Sequence, residues 1–300
     1  GPARISLKSG GDDLAKIMNI NALPAALIGA GMVAMLTAPA FAEDGMKLVI
    51  EGEELTTEVA PHEGNPLDPV RSGWTFRSAE TQALETDDFE NPAFPLVEYG
   101  AELWETADGS SGKSCASCHG DASESMKGVR ASMPKWSKEK NTLFALEDHI
   151  NWSREEHQGA EPWKWESQEM LGMTAFIGLQ SRGMPVNVSI DGPAKEWFEK
   201  GKEMYYTRYG QLDMACAQCH DDNYETMIRA DHLSQGQING FPTYRLKWSG
   251  LGSIHRRFKG CMDNIRAQPF KRGSDEFTAL ELYVAWRGQG LSVETPAVRN

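Results

Sequence analysis

The stretch Cys216-Ala217-Gln218-Cys219-His220 decides how this chain is interpreted, because it has the form C-x-x-C-H. The same form occurs 101 residues earlier, at Cys115-Ala116-Ser117-Cys118-His119. A C-x-x-C pair followed directly by His is typical of c-type haem attachment, in which the thiols bond to the porphyrin and the His ligates the iron. We therefore predict two covalently attached haems c. Their attachment thiols are Cys115, Cys118, Cys216 and Cys219, and their iron ligands are His119 and His220.

Zinc binding and a redox disulfide are the alternatives for these motifs. A structural zinc site usually places its second Cys pair ~15–20 residues from the first. Cys118 and Cys216 are 98 positions apart, far beyond that spacing. No thioredoxin-like pattern of strands and helices surrounds either motif. The spacing therefore favours haem over both alternatives.

The residues around the two motifs also repeat. Residues 97–104 match residues 198–205 at the same offset of 101, and residues 167–170 match residues 274–277 at an offset of 107. Residues 167–170 and residues 274–277 each begin with a serine that suits a helix N-cap, and apolar residues follow at helical spacing. We predict an all-α fold with long loops, made of two cytochrome c-like domains related by internal duplication.

The chain is predicted to divide into four segments. Residues 1–42 are an extension plus a signal peptide, 43–90 an extended acidic leader, 91–190 the first cytochrome c domain and 191–300 the second, catalytic domain. The boundary between the two domains falls in the breaker cluster Asp191-Gly192-Pro193. Within the leader, the acidic run at residues 85–90 is expected to form a solvated face.

An apolar stretch from Leu23 to Leu36, interrupted by one Pro and two Gly, precedes the small-x-small sequence Ala40-Phe41-Ala42. This pattern predicts a secretory signal cleaved after Ala42, and therefore a periplasmic protein; an uncleaved anchor is the alternative. The stretch is short and broken for a membrane span, so we expect no span in the mature chain. The formal net charge of -13 argues against a nucleic-acid partner.

Cys261 is the one cysteine left over after haem attachment. It lies in the segment 245–272, which carries eight Lys and Arg residues and a single acid, Asp263. Nearby cations favour the thiolate, and a thiolate on ferric iron should lower the potential. We predict that Cys261 ligates the second haem iron and that Arg257, four residues earlier, binds a small oxyanion. A buried, inert thiol is the alternative.

The first haem site has no cysteine to match. Cys261 minus 107 falls on Arg154, next to Ser153, and a serine hydroxyl is a poor haem ligand. His149 and His157 lie four residues either side of Ser153 and would share its helix face. Either could ligate the first iron, and both could equally be surface histidines. The other possible ligands are Met126, Met133 and Met184.

Several stretches outside the haem motifs carry a family resemblance. They are Ser72–Phe76, Leu233–Pro242, Gly252–Arg257, Leu280–Arg287 and the isolated Cys261. Together with the motifs, they resemble the SoxA family, the catalytic subunits of the SoxAX cytochrome complex of sulfur-oxidising bacteria. The resemblance covers most of the mature chain and is far more specific than two C-x-x-C-H motifs.

This resemblance implies a function and partners. The family joins thiosulfate oxidatively to a cysteine of the carrier SoxYZ, and a monohaem SoxX subunit relays electrons towards a soluble cytochrome c. It implies Cys261 as the catalytic sulfur, found as a persulfide, and Arg257 as the residue that holds the substrate. Family members with two haems usually ligate the first with a Cys just after an Ile-Asn pair. Here Ile150-Asn151 is followed by no such Cys, so the distal ligand is expected to differ.

Two other functions fit the haem motifs. A plain diheme electron carrier would have Met or His on both irons and would not need the basic segment around Cys261. A thiosulfate dehydrogenase that forms tetrathionate would use a Cys-ligated haem but would need no protein carrier.

Overall fold

The computed structural model describes residues 47–300. These residues belong to a compact unit that runs from Gly45 to Asn300. The predicted signal peptide and its cleavage after Ala42 lie outside the described residues. Within residues 47–300, no helix has both the length and the apolar character that a membrane crossing requires.

The described residues form ten α-helices and eleven short strands. The helices are α1 (Ala79–Thr86), α2 (Phe94–Glu105), α3 (Cys115–His119), α4 (Ala122–Ser125), α5 (Leu146–Ser153), α6 (Gln168–Leu179), α7 (Ala194–Tyr206), α8 (Cys216–His220), α9 (Ile254–Asn264) and α10 (Asp275–Arg287). The strands are β1 (Val49–Ile50), β2 (Glu53–Glu54), β3 (Glu58–Val59), β4 (Val70–Arg71), β5 (Lys135–Ser137), β6 (Thr142–Phe144), β7 (Met227–Ile228), β8 (Asp231–His232), β9 (Thr243–Arg245), β10 (Gly250–Gly252) and β11 (Ala297–Arg299).

The last helix of each half of the chain (residues 91–190 and residues 191–300) begins as the sequence predicts. The Ser167 hydroxyl accepts a hydrogen bond from the Met170 N–H at the start of α6, and the Ser274 hydroxyl accepts one from the Phe277 N–H at the start of α10. Acidic residues in each first turn suit the positive end of the helix dipole. Most of α6 and all but the first turn of α10 are buried, so both helices belong to the core.

The first and last helices of each half cross at a glycine. A Cβ on Gly100 of α2 would lie 2.1 Å from the Gly172 carbonyl oxygen of α6, and one on Gly201 of α7 would lie 2.0 Å from the Ala279 carbonyl oxygen of α10. Each crossing brings two backbones closer than any side chain would allow. The haem motifs, α3 and α8, contact α2 and α7 respectively. This is the helix arrangement that we expected of cytochrome c domains.

Replacing Gly201 with alanine should destabilise the fold by about 3 kcal/mol, because the new methyl group overlaps the Ala279 backbone and α7 must move away from α10. Chemical denaturation of the haem-loaded protein measures this change. Gly260 is the matched control: it is also helical, but nothing lies within 4 Å of its added Cβ. Gly260→Ala should therefore be neutral or slightly stabilising. Equal stability of the two variants would contradict a tight crossing.

Equivalent segments of the two halves contact each other reciprocally. The Gly183 N–H donates to the Val293 carbonyl at 2.9 Å, and the Gly290 N–H donates to the Val186 carbonyl at 2.9 Å. Gly290 and Val293 stand 107 positions after Gly183 and Val186, so each bond is the counterpart of the other. The two segments therefore pair antiparallel, through a bridge between Pro185 and Ser292.

The all-α prediction is correct only in part, because small sheets accompany the helices. β9 pairs antiparallel with β10 and parallel with β11. The other strands form two-stranded antiparallel pairs. None of the strands within residues 47–300 is longer than three residues, so none contains an alternation of apolar and polar residues that could be recognised in the sequence. The fold is helical with small sheets in its loops.

The segment expected to be an extended leader is folded against the C-terminal end of the chain. Trp74 is buried in a small cluster with Leu48 and Ile50. The prediction of a solvated face at residues 85–90 is wrong for Glu85, which is fully buried. Its carboxylate accepts a hydrogen bond from the Val298 N–H at 2.8 Å and forms a salt bridge with Arg299. A buried cation thus allows a carboxylate in the core.

A second buried acidic group lies between α5 and α10. Glu147 is 8 % exposed and Glu281 is 3 % exposed. The His255 Nε2 lies 3.2 Å from one Glu281 oxygen, and an Arg130 nitrogen lies 4.0 Å from the other. Burial and the Glu281 charge raise the pKa of Glu147 to about 8, so Glu147 holds a proton at neutral pH.

Glu147→Gln should therefore change how stability depends on pH. Between about pH 4.5 and about pH 8 the folded protein binds a proton on Glu147 that the unfolded chain has released, so wild-type stability falls as the pH rises through this range. A glutamine removes this loss, and we expect the variant to gain at least about 1 kcal/mol on wild type between pH 5 and pH 8. Thermal unfolding across this range measures the gain. Glu199→Gln, at an exposed position of α7, should leave the wild-type slope unchanged.

Candidate haem and thiol sites

The second C-x-x-C-H motif forms the one-turn helix α8. The Gln218 side chain begins it by accepting a hydrogen bond from the Ala215 N–H at 2.7 Å. Cys219 stands three positions after Cys216, so the two thiols lie on neighbouring positions of one helix face. Cys216 also packs against the main hydrophobic cluster of the second half. A helical turn of this kind can present two thiols to one edge of a porphyrin.

His220 is oriented as a metal-ligating histidine would be. Its Nδ1 lies 2.7 Å from the Ser234 carbonyl oxygen, which can only accept, so Nδ1 donates and Nε2 is left as the free lone pair. Gly236 has a φ of +75° and approaches so closely that an added Cβ would lie 3.0 Å from the imidazole. The thiol pair and this fixed imidazole fit a c-type haem, with Nε2 towards the iron.

Cys261 is brought to the same place by α9. It is half-buried and lies close to His220 and Cys216. Burial raises the pKa of this thiol, but the charge of Arg257 and the contact with His220 lower it further, to about 6. The structure therefore brings together five residues that the sequence singled out, which are Cys216, Cys219, His220, Arg257 and Cys261.

The start of α9 is held by the first half of the chain. The Ser253 hydroxyl caps the helix by accepting from the Arg256 N–H at 3.1 Å, and the Ser253 N–H donates to Glu166 at 3.2 Å. Two residues later, the His255 ring stacks on Trp165 with a centroid distance of 4.5 Å. Contacts from the segment just before α6 thus fix the helix that carries Arg257 and Cys261.

Two further arginines lie near Arg257, and one of them was not predicted from the sequence. Arg245, from the basic segment, and Arg77, from the leader, are buried and share one acid, Asp231. Burial and the nearby Arg257 charge lower the pKa of Arg245 to about 9. One Arg245 nitrogen, Nη1, is buried without a hydrogen-bond partner. Arg77 was missed because the leader was expected to lie apart from the site.

The first C-x-x-C-H motif forms the corresponding helix α3. Ser114 and Ser117 form a capping box at the start of this helix, in which each side chain accepts a hydrogen bond from the backbone N–H of the other. His119 is exposed, and its ring lies 5.8 Å from that of Trp104. The two thiols and the imidazole again have the order and helical placement that a c-type haem needs.

The candidates for the distal side of the first site differ in their surroundings. His149 is half-buried against Phe144, its Nε2 has no hydrogen-bond partner, and burial lowers the pKa of its imidazole. His157 is exposed beside Trp152, and Ser153 ends α5. Met126 and Met133 pack in the hydrophobic cluster of the first half, whereas Met184 packs against that of the second. Met126 and Cys115 pack against the same cluster, and the Gln158 side-chain amide reaches the Cys115 Sγ at 4.0 Å.

Comparison with known proteins agrees with this geometry. The SoxA/TsdA cytochrome c domain family matches residues 99–186. The chain is 51% identical over 276 residues to the L-cysteine S-thiosulfotransferase subunit SoxA of Pseudaminobacter salicylatoxidans, covering 92% of this chain and 96% of that one. It is 54% identical to the corresponding subunit of Paracoccus pantotrophus, covering 86% and 90%.

The chain belongs to the SoxA family. The structure of this SoxA-family chain also resembles the crystal structure of SoxXA from P. pantotrophus, with a TM-score of 0.82 at 52% identity, covering 86% of this chain and 99% of the other. The predicted family is thereby confirmed, and with it a cytochrome c domain of the kind that carries c-type haem. A SoxA relative from Rhodovulum sulfidophilum matches over 95% of this chain at 49% identity.

Proposed function

We propose that this chain is the SoxA subunit of an L-cysteine S-thiosulfotransferase, which joins thiosulfate oxidatively to a cysteine of a SoxYZ-type carrier. Relatives that carry this subunit name share about half of its residues over most of its length. The observation that supports the reaction most directly is the placement of the Cys261 thiol beside His220 and among Arg257 and Arg245. A plain electron carrier would not need a thiol with arginines around it.

The residues of the site suggest how the substrate is held. Thiosulfate is a dianion, and the planar guanidinium of Arg257 can bind two of its oxygens at once. Arg245, with a buried nitrogen that has no protein partner, adds a second fixed charge. The acidified Cys261 thiol is the sulfur nucleophile nearest to these cations.

The overall reaction is an oxidation. Joining the outer sulfur of thiosulfate to a carrier thiol forms one S–S bond and releases one proton and two electrons. A c-type haem bound at Cys216 and Cys219 would supply one-electron redox chemistry at this point. The chain's own contribution is to bind the anion, to hold Cys261 as an anionic sulfur and to fix His220 through the Ser234 carbonyl.

We also propose two haems c per chain, one at each motif. His119 and His220 would be iron ligands, and Cys261 would ligate the second iron. The matched helix crossings and the reciprocal bonds between Gly183 and Gly290 segments support an internal duplication into domains 91–190 and 191–300. A SoxX-like monohaem partner, a soluble cytochrome c acceptor and a periplasmic location follow from the family.

The test is to supply the chain and its monohaem partner with thiosulfate, oxidised cytochrome c and a purified SoxYZ carrier. We expect the carrier mass to rise by one thiosulfate adduct, with two cytochromes reduced for each adduct. Tetrathionate formed at the same rate without the carrier would instead identify a thiosulfate dehydrogenase. If neither the carrier adduct nor tetrathionate formed, the chain would be a plain electron carrier.

A further inference from the structure

The first half contains a counterpart of the helix that carries Cys261, and the two helices end alike. α5 continues into a π-helix, Arg154–Gln158. The Gln158 carbonyl accepts from the Ser111 N–H at 3.0 Å, just as the Ile265 carbonyl at the end of α9 accepts from the Leu212 N–H at 3.3 Å. Ile265 stands 107 positions after Gln158, and Leu212 stands 101 positions after Ser111.

The starts of the two helices are not separated by the same number of positions as their ends. The N-cap of α5 is Ala145 and that of α9 is Ser253, which is an offset of 108. The hairpins before them, β5–β6 and β9–β10, share this offset. The first half therefore contains one more residue between helix start and helix end. A π-turn is the usual way for a helix to accommodate one inserted residue, and Arg154–Gln158 is such a turn.

Alignment of the helix ends makes Arg154 the counterpart of Cys261. The surroundings agree, because the π-helix that begins at Arg154 lies against the first haem motif: the Gln158 side-chain amide donates to the Lys113 carbonyl at 3.0 Å and reaches the Cys115 Sγ at 4.0 Å. The Arg154 side chain is buried, with its guanidinium 3.8 Å from the Trp163 ring centre. Its Nε donates to the Glu161 carbonyl at 3.0 Å and its Nη2 to Asp108 at 2.8 Å.

We propose that Arg154 occupies, in the first haem site, the place that Cys261 occupies in the second, so that a fixed cation replaces a thiol ligand. This inference rests on the proposed function, because it requires a haem at each motif. A buried cation favours the reduced, less positive state of a nearby iron, whereas a thiolate favours the oxidised state. Asp108 offsets the Arg154 charge only partly, since its carboxylate is half-exposed and screened by water. The first site is therefore the more easily reduced of the two and can accept electrons released at Cys261.

Redox titration of the two-haem protein, followed by its optical spectrum, tests the effect of the charge. We expect Arg154→Gln to move one of the two midpoint potentials to a lower value and to leave the other in place. Arg154→Lys keeps the charge and should retain the wild-type value. Arg182→Gln is the matched control, since Arg182 is another largely buried arginine of the first half and pairs with Asp88. Two unmoved potentials in Arg154→Gln, or an equal shift of both, would overturn the proposal.

Spectroscopy of the ferric protein tests the position. Arg154→Cys places a thiol at the Cys261-equivalent site, so a second thiolate-ligated signal should appear; Ser153→Cys, one residue away, should give none. A new signal from Ser153→Cys alone would show that Arg154 is not the counterpart. Mass spectrometry distinguishes failure of the proposed haem number from failure of this inference. One haem per wild-type chain would refute both. Two haems with a potential that ignores Arg154 would refute only the inference.

Discussion

Replacing Cys261 with alanine is expected to abolish transfer of thiosulfate to the carrier, with a loss on the order of 10³-fold or more, while both haems stay attached. We expect the haems to stay because the substitution changes none of the proposed attachment thiols, Cys115, Cys118, Cys216 and Cys219. Activity is lost because Cys261 is the sulfur that lies close to His220 and within the influence of the Arg257 and Arg245 charges. No other side chain in that position can act as an anionic sulfur nucleophile.

The measurement is the mass of the carrier after incubation with thiosulfate and oxidised cytochrome c, together with the haem content of the variant. Gly260→Ala is the control, because it alters the neighbouring position of α9 without meeting any atom. It should retain wild-type activity. A Cys261→Ala protein that still forms the carrier adduct at more than a few per cent of the wild-type rate would remove Cys261 from the chemistry.

Arg257→Gln is expected to lower kcat/KM for thiosulfate by about 10²–10³, the range found when one charge-stabilising donor is removed from an active site. The physical reason is the loss of a two-pronged cation for the thiosulfate oxygens. Arg257→Lys should fall between wild type and Arg257→Gln, because an ammonium keeps the charge without the planar pair of donors.

The neighbouring Arg256 provides the matched control for charge. Its guanidinium lies over Trp248 at 4.3 Å and 3.9 Å from Glu166, in contacts that Arg257 does not share. Arg256→Gln changes the net charge by the same amount and should cost far less activity. Steady-state rates with increasing thiosulfate distinguish the two variants. Equal losses in both would mean that only the overall field of the basic segment matters, rather than the position of Arg257.

The sequence predicted the parts of the site that are local or repeated. The C-x-x-C-H motifs, the serine caps of α6 and α10 and the leftover thiol could all be recognised within a few residues of sequence. The repeat also indicated that Arg154 or its neighbour Ser153 is equivalent to Cys261. The offset alone does not decide between them, because the π-helix adds one residue to the first half.

What the sequence could not predict depends on contacts between distant residues. Arg77 meets Asp231 across 154 residues, and nothing in the leader's composition indicates that pairing. Glu85 looked like part of a charged surface because its partner, Arg299, lies at the other end of the chain. Strands of two or three residues are set by their neighbours rather than by their own side chains.

The anchoring of α9 by Trp165 and Glu166 means that the second half depends on the first for the position of the proposed catalytic residues. Cut away from the first half, α9 would lose the acceptor for its Ser253 N–H and the ring that covers His255. The position of Arg257 and Cys261 would then depend on an unsupported helix end. The first half would thus hold the proposed catalytic helix in place, and this role does not depend on whether the first half carries a haem.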